Sequence, residues 1–270
     1  MAEGTTPASM RMGVITSAAL WFGAFGLGLI LDGPIGLTLG GPISAYIFAF
    51  VLLTIVIMAS AMSLSQRWPD RSGVWAIGVG LVLVVFVTAS DSSSTVYGLL
   101  VGFGLLIICL TAGAMIGRRI EEPNYLWPLT LVMVCFDLWS VFSSQGITQE
   151  LVLAPEAQET RALLVLAFPV PGLGVEPVLG IGDVIVVSLL YSAVSWLGLS
   201  LRRLTIGLGL GFVLCLTALV ITSVPLPALA FIAPCGVAAL GQEAKPRISE
   251  LVMAAVFCLI GLTVLTLIRS

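Results

Sequence analysis

Histidine is absent from the 270-residue sequence, lysine and asparagine occur once each, and only 9% of residues are charged. Without histidine, neither the Ser-His pair of serine hydrolases nor the His-Glu-x-x-His site of zinc proteases can be built. The single lysine, Lys245, lies in a polar connector, which excludes a buried lysine base. The single asparagine, Asn124, precedes Tyr125 and Leu126, so the chain has no N-glycosylation acceptor. Cys109, Cys135, Cys215, Cys235 and Cys258 are scattered singly through apolar runs without Cys-x-x-Cys spacing and read as small core hydrophobes. Acid-base chemistry is left to aspartate and glutamate. No cofactor, no metal, no nucleic acid and no obligatory protein partner is expected.

What is present is apolar sequence: 59% of residues are hydrophobic and the mean hydropathy is +1.16, well above the roughly 45 to 50% apolar content of soluble domains. The apolar runs are continuous rather than alternating, which indicates membrane-spanning helices and not a barrel. The expectation is an all-α polytopic membrane protein with nine transmembrane helices. Their spans are Gly13 to Leu31, Pro42 to Leu64, Val74 to Ala89, Val96 to Ile116, Leu126 to Phe142, Val178 to Leu201, Leu204 to Thr222, a short eighth span ending at Leu240, and Ser249 to Ile268. The eighth follows a break at Ser223 to Pro227 and contains Pro234. The small, polar N-terminal dozen and the long run behind it do not resemble a cleavable signal. The long polar connector, Ser143 to Pro177, holds Glu150, Glu156, Glu159, Glu176 and one base, Arg161. Residues 1–125 form an N-terminal four-helix scaffold in this reading, 126–240 the core, and 241–270 a connector with an additional helix.

With nine spans, the connectors alternate between two sides. One side then holds nine of the eleven basic residues, and the other holds only Arg161 and Arg269. This positive-inside bias predicts a cytoplasmic N-terminus and an external C-terminus, in a multi-pass protein of the plasma or inner membrane.

Two acids interrupt the apolar spans, Asp137 in the fifth and Asp183 in the sixth. A carboxylate near mid-membrane costs about 2.5 to 3.5 kcal/mol on insertion scales, so each acid is a functional candidate. Asp137 lies five residues before the end of its span and Asp183 five residues after the start of its own. At 1.5 Å per residue, both sit about 8 Å below the outer edge, and antiparallel neighbours would bring them face to face. A close pair of carboxylates in low dielectric holds one shared proton, a state suited to acid-base catalysis. Other readings stay open. Asp183 fits a helix N-cap or first-turn acid, and Asp137 fits a hydrogen bond to Ser140 or Thr130. Both fit a proton or cation relay in a polytopic transporter.

Gly180-Ile181-Gly182-Asp183 resembles the Gly-x-Gly-Asp motif of intramembrane aspartyl proteases, the presenilin and signal peptide peptidase family. Phe136-Asp137 resembles that family's Tyr-Asp helix, with phenylalanine in place of the usual tyrosine, and Pro227-Ala228-Leu229 resembles its Pro-Ala-Leu motif. The resemblance covers about Leu126 to Leu240 and is closer to the signal peptide peptidase branch. It implies an aspartic endopeptidase with Asp137 and Asp183 as catalytic acid and base, their roles unassigned. Gly180, Gly182, Pro227, Ala228 and Leu229 would lie along the substrate backbone. The glycines would leave room for an extended chain, and the proline would leave carbonyls able to bind it. The run Ala162 to Val170, ALLVLAFPV, has strand-like composition and is a candidate for β-augmentation of an unwound substrate, with a membrane-dipping loop as the alternative. The implied partners are the bilayer and transmembrane-helix or signal-peptide substrates of type II orientation, cleaved toward the outer face. Four helices precede Asp137 where the family has five, and one helix follows the Pro-Ala-Leu helix. The prepilin peptidases also use Gly-x-Gly-Asp, but they are expected to act at the cytoplasmic face and to lack Pro-Ala-Leu.

Overall fold

In lipid, a long apolar run must satisfy its backbone groups internally, and helix is the outcome. The computed structural model describes residues 7–32, 41–65, 70–88, 95–143, 164–222 and 226–269. Among them are nine α-helices: α1 (Pro7–Asp32), α2 (Pro42–Ser65), α3 (Asp70–Thr88), α4 (Thr95–Gly117), α5 (Leu126–Phe142), α6 (Ile181–Trp196), α7 (Leu201–Thr222), α8 (Leu229–Leu240) and α9 (Ile248–Arg269). Five stretches, Gly13–Leu31, Pro42–Ser65, Val96–Gly117, Pro123–Phe142 and Leu201–Thr222, are long and apolar enough to cross a membrane, and four further apolar helices are shorter. Large apolar side chains point outward, among them Ile30, Trp75 and Ile221 at 72%, 77% and 76% exposure. The architecture fits a helical membrane protein. Most of the polar connector, including Glu150, Glu156, Glu159 and Arg161, lies outside the described residues, as do Ala162, Leu163 and the break at 223–225.

The described chain is mostly helical, as expected of an all-α membrane protein, and carries one two-stranded hairpin besides. Strand β1 (Val165–Val170) pairs antiparallel with β2 (Gly174–Gly180), placing Val165 opposite Gly180 and Val170 opposite Gly174. The strand-like run is therefore a strand from Val165 on. Its partner takes residues expected in the sixth span. Leu179 pairs with Leu166, and Ala167 with Pro177, so Val178 is the extra residue of a bulge. Val170 to Leu173 close the hairpin, with Pro171 and Gly172 at the centre and the Leu173 N–H donating to the Val170 carbonyl at 2.9 Å. Gly172 has φ +82°, the left-handed value that the third residue of a type II turn demands.

Helix α6 accordingly starts at Ile181 and not at Val178. It also ends earlier than Leu201: the Leu199 N–H donates to the Val194 carbonyl at 2.9 Å and the Gly198 N–H to that of Ser195 at 3.3 Å, with Gly198 at φ +68°. That pair of bonds is a Schellman stop.

The described chain divides into two compact units, one of residues 1–118 and 162–192, the other of 119–161 and 193–270. In the first, β1 packs on α1, α2 and α4. Phe168 is buried edge-on against Trp21 and Phe25, with ring centroids 5.8 Å from each, and Trp21 Nε1 donates to the Leu99 carbonyl at 3.1 Å. The middle of α6 is held on α4, where Ser188 Oγ donates to the Leu110 carbonyl at 2.5 Å. Gly113 makes that approach possible, since a Cβ there would meet the Ile185 carbonyl and lie 2.8 Å from Ser188 Cβ.

In the second unit, α8 packs on α7 and α5, and α9 packs on α5. The α5–α9 pair is pinned by buried Asn124, whose Nδ2 donates to Glu250 Oε1 at 2.5 Å. Arg247 bridges Glu122 at 3.4 Å and Glu250 at 3.6 Å.

Gly113→Leu is expected to force α4 and α6 apart. Such overpacking costs about 1–3 kcal/mol, so the thermal unfolding temperature of the detergent-solubilised protein should fall; an unchanged temperature would contradict the close crossing.

Candidate active site

Asp137 occupies the position expected of it, five residues before the end of α5 at Phe142. What it meets there is the start of α8. The backbone N–H of Leu229 donates to Asp137 Oδ2 at 3.0 Å. The first N–H groups of any helix lack intrahelical acceptors, and α8 has no side-chain cap of its own at Ala228. A carboxylate from another helix supplies the missing acceptor, in the place where helix polarity favours negative charge. This answers why an acid is tolerated in the middle of an apolar run. The hydrogen bond to Thr130 is not made: its buried hydroxyl has no partner among the described residues.

Pro227-Ala228-Leu229 is thus brought to Asp137, through a donor and not through the free carbonyls expected of a proline break. The Pro227 carbonyl accepts from Ala230 at 3.2 Å, and that of Ala228 accepts from Phe231 and Ile232, both at 3.0 Å. Those oxygens are engaged in building the first turn of α8. Pro227 and Leu229 are buried and Ala228 half-buried, so the motif forms a fixed corner.

Asp183 is the third residue of α6 and is buried. Its depth was expected from a span beginning at Val178; with the helix starting at Ile181, it is about two residues of rise, or 3 Å, from the helix start in place of about 8 Å. Asp183 sits where a first-turn acid is electrostatically favoured without any catalytic demand. Its carboxylate folds back over the strand end, and a Cβ on Gly180 would lie 3.3 Å from Asp183 Oδ2. Gly180 therefore gives the carboxylate its room. Gly182 is exposed, and a Cβ there would meet nothing within 4 Å among the described residues.

No family model, curated protein or solved structure matches the chain. The residues alone must carry the assignment of chemistry. The structure joins Asp137 to Leu229 in the second unit, and Gly180 to Asp183 at the end of the hairpin in the first. Among the described residues no group of three or more acids and cysteines is placed to hold a metal ion. Sequence reasoning missed β2, which delivers the chain directly into Gly180 and Asp183. The readable signal was Pro171-Gly172, a turn pair after a strand-like run.

If the Leu229 contact holds α8, then Asp137→Asn, which keeps an oxygen acceptor, should unfold near the parent temperature. Asp137→Leu orphans a buried N–H at a cost of about 1–3 kcal/mol and should unfold lower. Equal stability of the two variants would exclude the contact.

Proposed function

We propose that the chain is an intramembrane aspartyl endopeptidase of the presenilin and signal peptide peptidase type, closer to the second branch. The observation that carries this reading is the hydrogen bond from Leu229 to Asp137. Two of the three motifs that resemble the family, far apart in sequence, meet at one carboxylate. The third ends a hairpin whose second strand runs into Gly180 and Asp183. The two acids belong to different compact units.

In this mechanism the acids share one proton. The ionised carboxylate takes a proton from water as the water oxygen attacks the scissile carbonyl carbon. The protonated partner donates to the carbonyl oxygen, giving a neutral gem-diol. Collapse of that diol breaks the C–N bond, with a carboxyl proton passing to the departing amine. No metal, cofactor or covalent intermediate is needed. A substrate helix must unwind first, and an outer edge of the two-stranded hairpin offers backbone partners for the extended segment.

The reading extends to nine membrane crossings, a cytoplasmic N-terminus, an external C-terminus and a site toward the outer face of the plasma or inner membrane. The bias of nine basic residues against two supports this orientation. Substrates are then single helices with the N-terminus inside, including signal-peptide remnants.

The test is a reporter cleavage assay in membranes with the parent, Asp137→Ala and Asp183→Ala. Each variant is expected to lose product formation by a factor on the order of 10² or more. Undiminished product from either would end the two-aspartate mechanism, and proton-coupled uptake without cleavage would move the assignment to a transporter.

A further inference from the structure

Helix α9 follows all three motifs in sequence and has no part in the proposed site, yet it packs along α5, the helix that carries Asp137. The two helices run parallel: Asn124, just before α5, meets Glu250 in the first turn of α9, and further along both helices Phe136 meets Gly261. Their contact is a narrow seam. Glu250, Ala254 and Cys258 are buried at every fourth position, and a Cβ on Gly261 would lie 3.1 Å from Phe136 Cζ, inside ordinary van der Waals separation. Outside the seam, Val252, Met253, Val256, Phe257, Leu259 and Ile260 are exposed. The ties at the start of α9 are polar: Asn124 Nδ2 donates to Glu250 Oε1 at 2.5 Å, and Arg247 bridges Glu250 and Glu122. In lipid, apolar contact between helices has no hydrophobic drive, so association rests on close packing and polar contacts. The start of α9 is therefore anchored, whereas the half beside Phe136 is held by packing through Ala254, Cys258 and Gly261.

We propose that α9 is a resident occupant of the flank of α5 on which a substrate helix docks, and that its half beyond Ala254 swings off α5 to admit one. The inference rests on the peptidase reading above. On the orientation given there, α5 runs from inside to outside, and α9, parallel to it, has the direction assigned to the substrates. Phe136 is next to Asp137 in sequence, so whichever helix fills the seam at Phe136 controls approach to the acid from that flank. The exchange of one apolar helix for another replaces the packing that is lost. Parting Asn124 from Glu250 would instead leave a buried carboxylate without its donor, so the hinge belongs at the start of α9. Gly261 admits the Phe136 ring because it has no side chain, and a substrate helix is expected to present small residues in the same register.

The test measures nitroxide pair distances on the full-length protein in lipid nanodiscs, in a background with the five native cysteines replaced by serine. One pair, Tyr125→Cys with Val252→Cys, reads the anchored end, and the other, Leu138→Cys with Val264→Cys, reads the end beyond the seam; all four residues are exposed. Gly261→Leu is expected to lengthen the second distance, leave the first unchanged and raise reporter cleavage severalfold. Adding a single-helix reporter of type II orientation, with small residues at every fourth position, should lengthen the second distance in the protein without any substitution in the seam. A second distance that stays fixed in both experiments, two distances that lengthen together, or a fall in cleavage when Gly261→Leu moves α9 away would each overturn the inference. The peptidase reading fails separately. Cleavage of the reporter with α9 in place keeps that reading and sinks the exchange of helices, whereas displacement of α9 without cleavage keeps the exchange and sinks the peptidase.

Discussion

The start of α8 is a helix end that must find an acceptor inside an apolar structure, and Asp137 supplies it through the Leu229 N–H. In water an uncapped first turn is satisfied by solvent; within lipid the same turn leaves costly orphan donors. Much of the second unit follows from this requirement. Helix α5 must lie beside the start of α8, and α8 in turn packs along α7. The Pro227-Ala228 corner fixes where the donor points. The carboxylate is therefore both a structural acceptor and, in the proposed reaction, a reacting group. Its rigidity serves the second role, because an acid-base residue is useful only when its oxygen is held within hydrogen-bonding reach of the bond to be cut.

Asp183 is held by a different device. A hairpin is an unusual element among lipid-facing helices, since its outer edges carry unpaired backbone groups. Here one face is covered by α1, α2 and α4, with Phe168 locked between Trp21 and Phe25. Strand β2 ends at the Gly180 that makes room for the acid. A first-turn acid at a strand-helix junction has a structural reason to exist, so its placement alone does not establish chemistry.

The helices were legible because length and continuous hydropathy decide helix in lipid: α5 runs over the same residues, Leu126–Phe142, that composition marks out. The hairpin was half legible. Val165–Val170 reads as a strand from its β-branched and aromatic residues, but Gly174–Gly180 does not, because Leu179 and its neighbours join an apolar run that continues into α6. Pairing with Leu166 decided those residues, and its one local mark is the Pro171-Gly172 turn pair between the strands. The candidate site was legible as motifs and not as geometry: the residue types at Asp137, Asp183 and Leu229 pointed to one another, yet the donor that joins two of them is a backbone N–H, which no side-chain pattern displays.

Whether Asp137 and Asp183 form one site is tested most directly by distance. In a background with the five native cysteines replaced by serine, Asp137→Cys and Asp183→Cys are introduced together, and the protein is oxidised in native membranes. A shared carboxylate site predicts an intramolecular disulfide between the two positions, absent from either single variant. Two thiols that stay free under conditions that cross-link adjacent control cysteines would contradict the two-aspartate site.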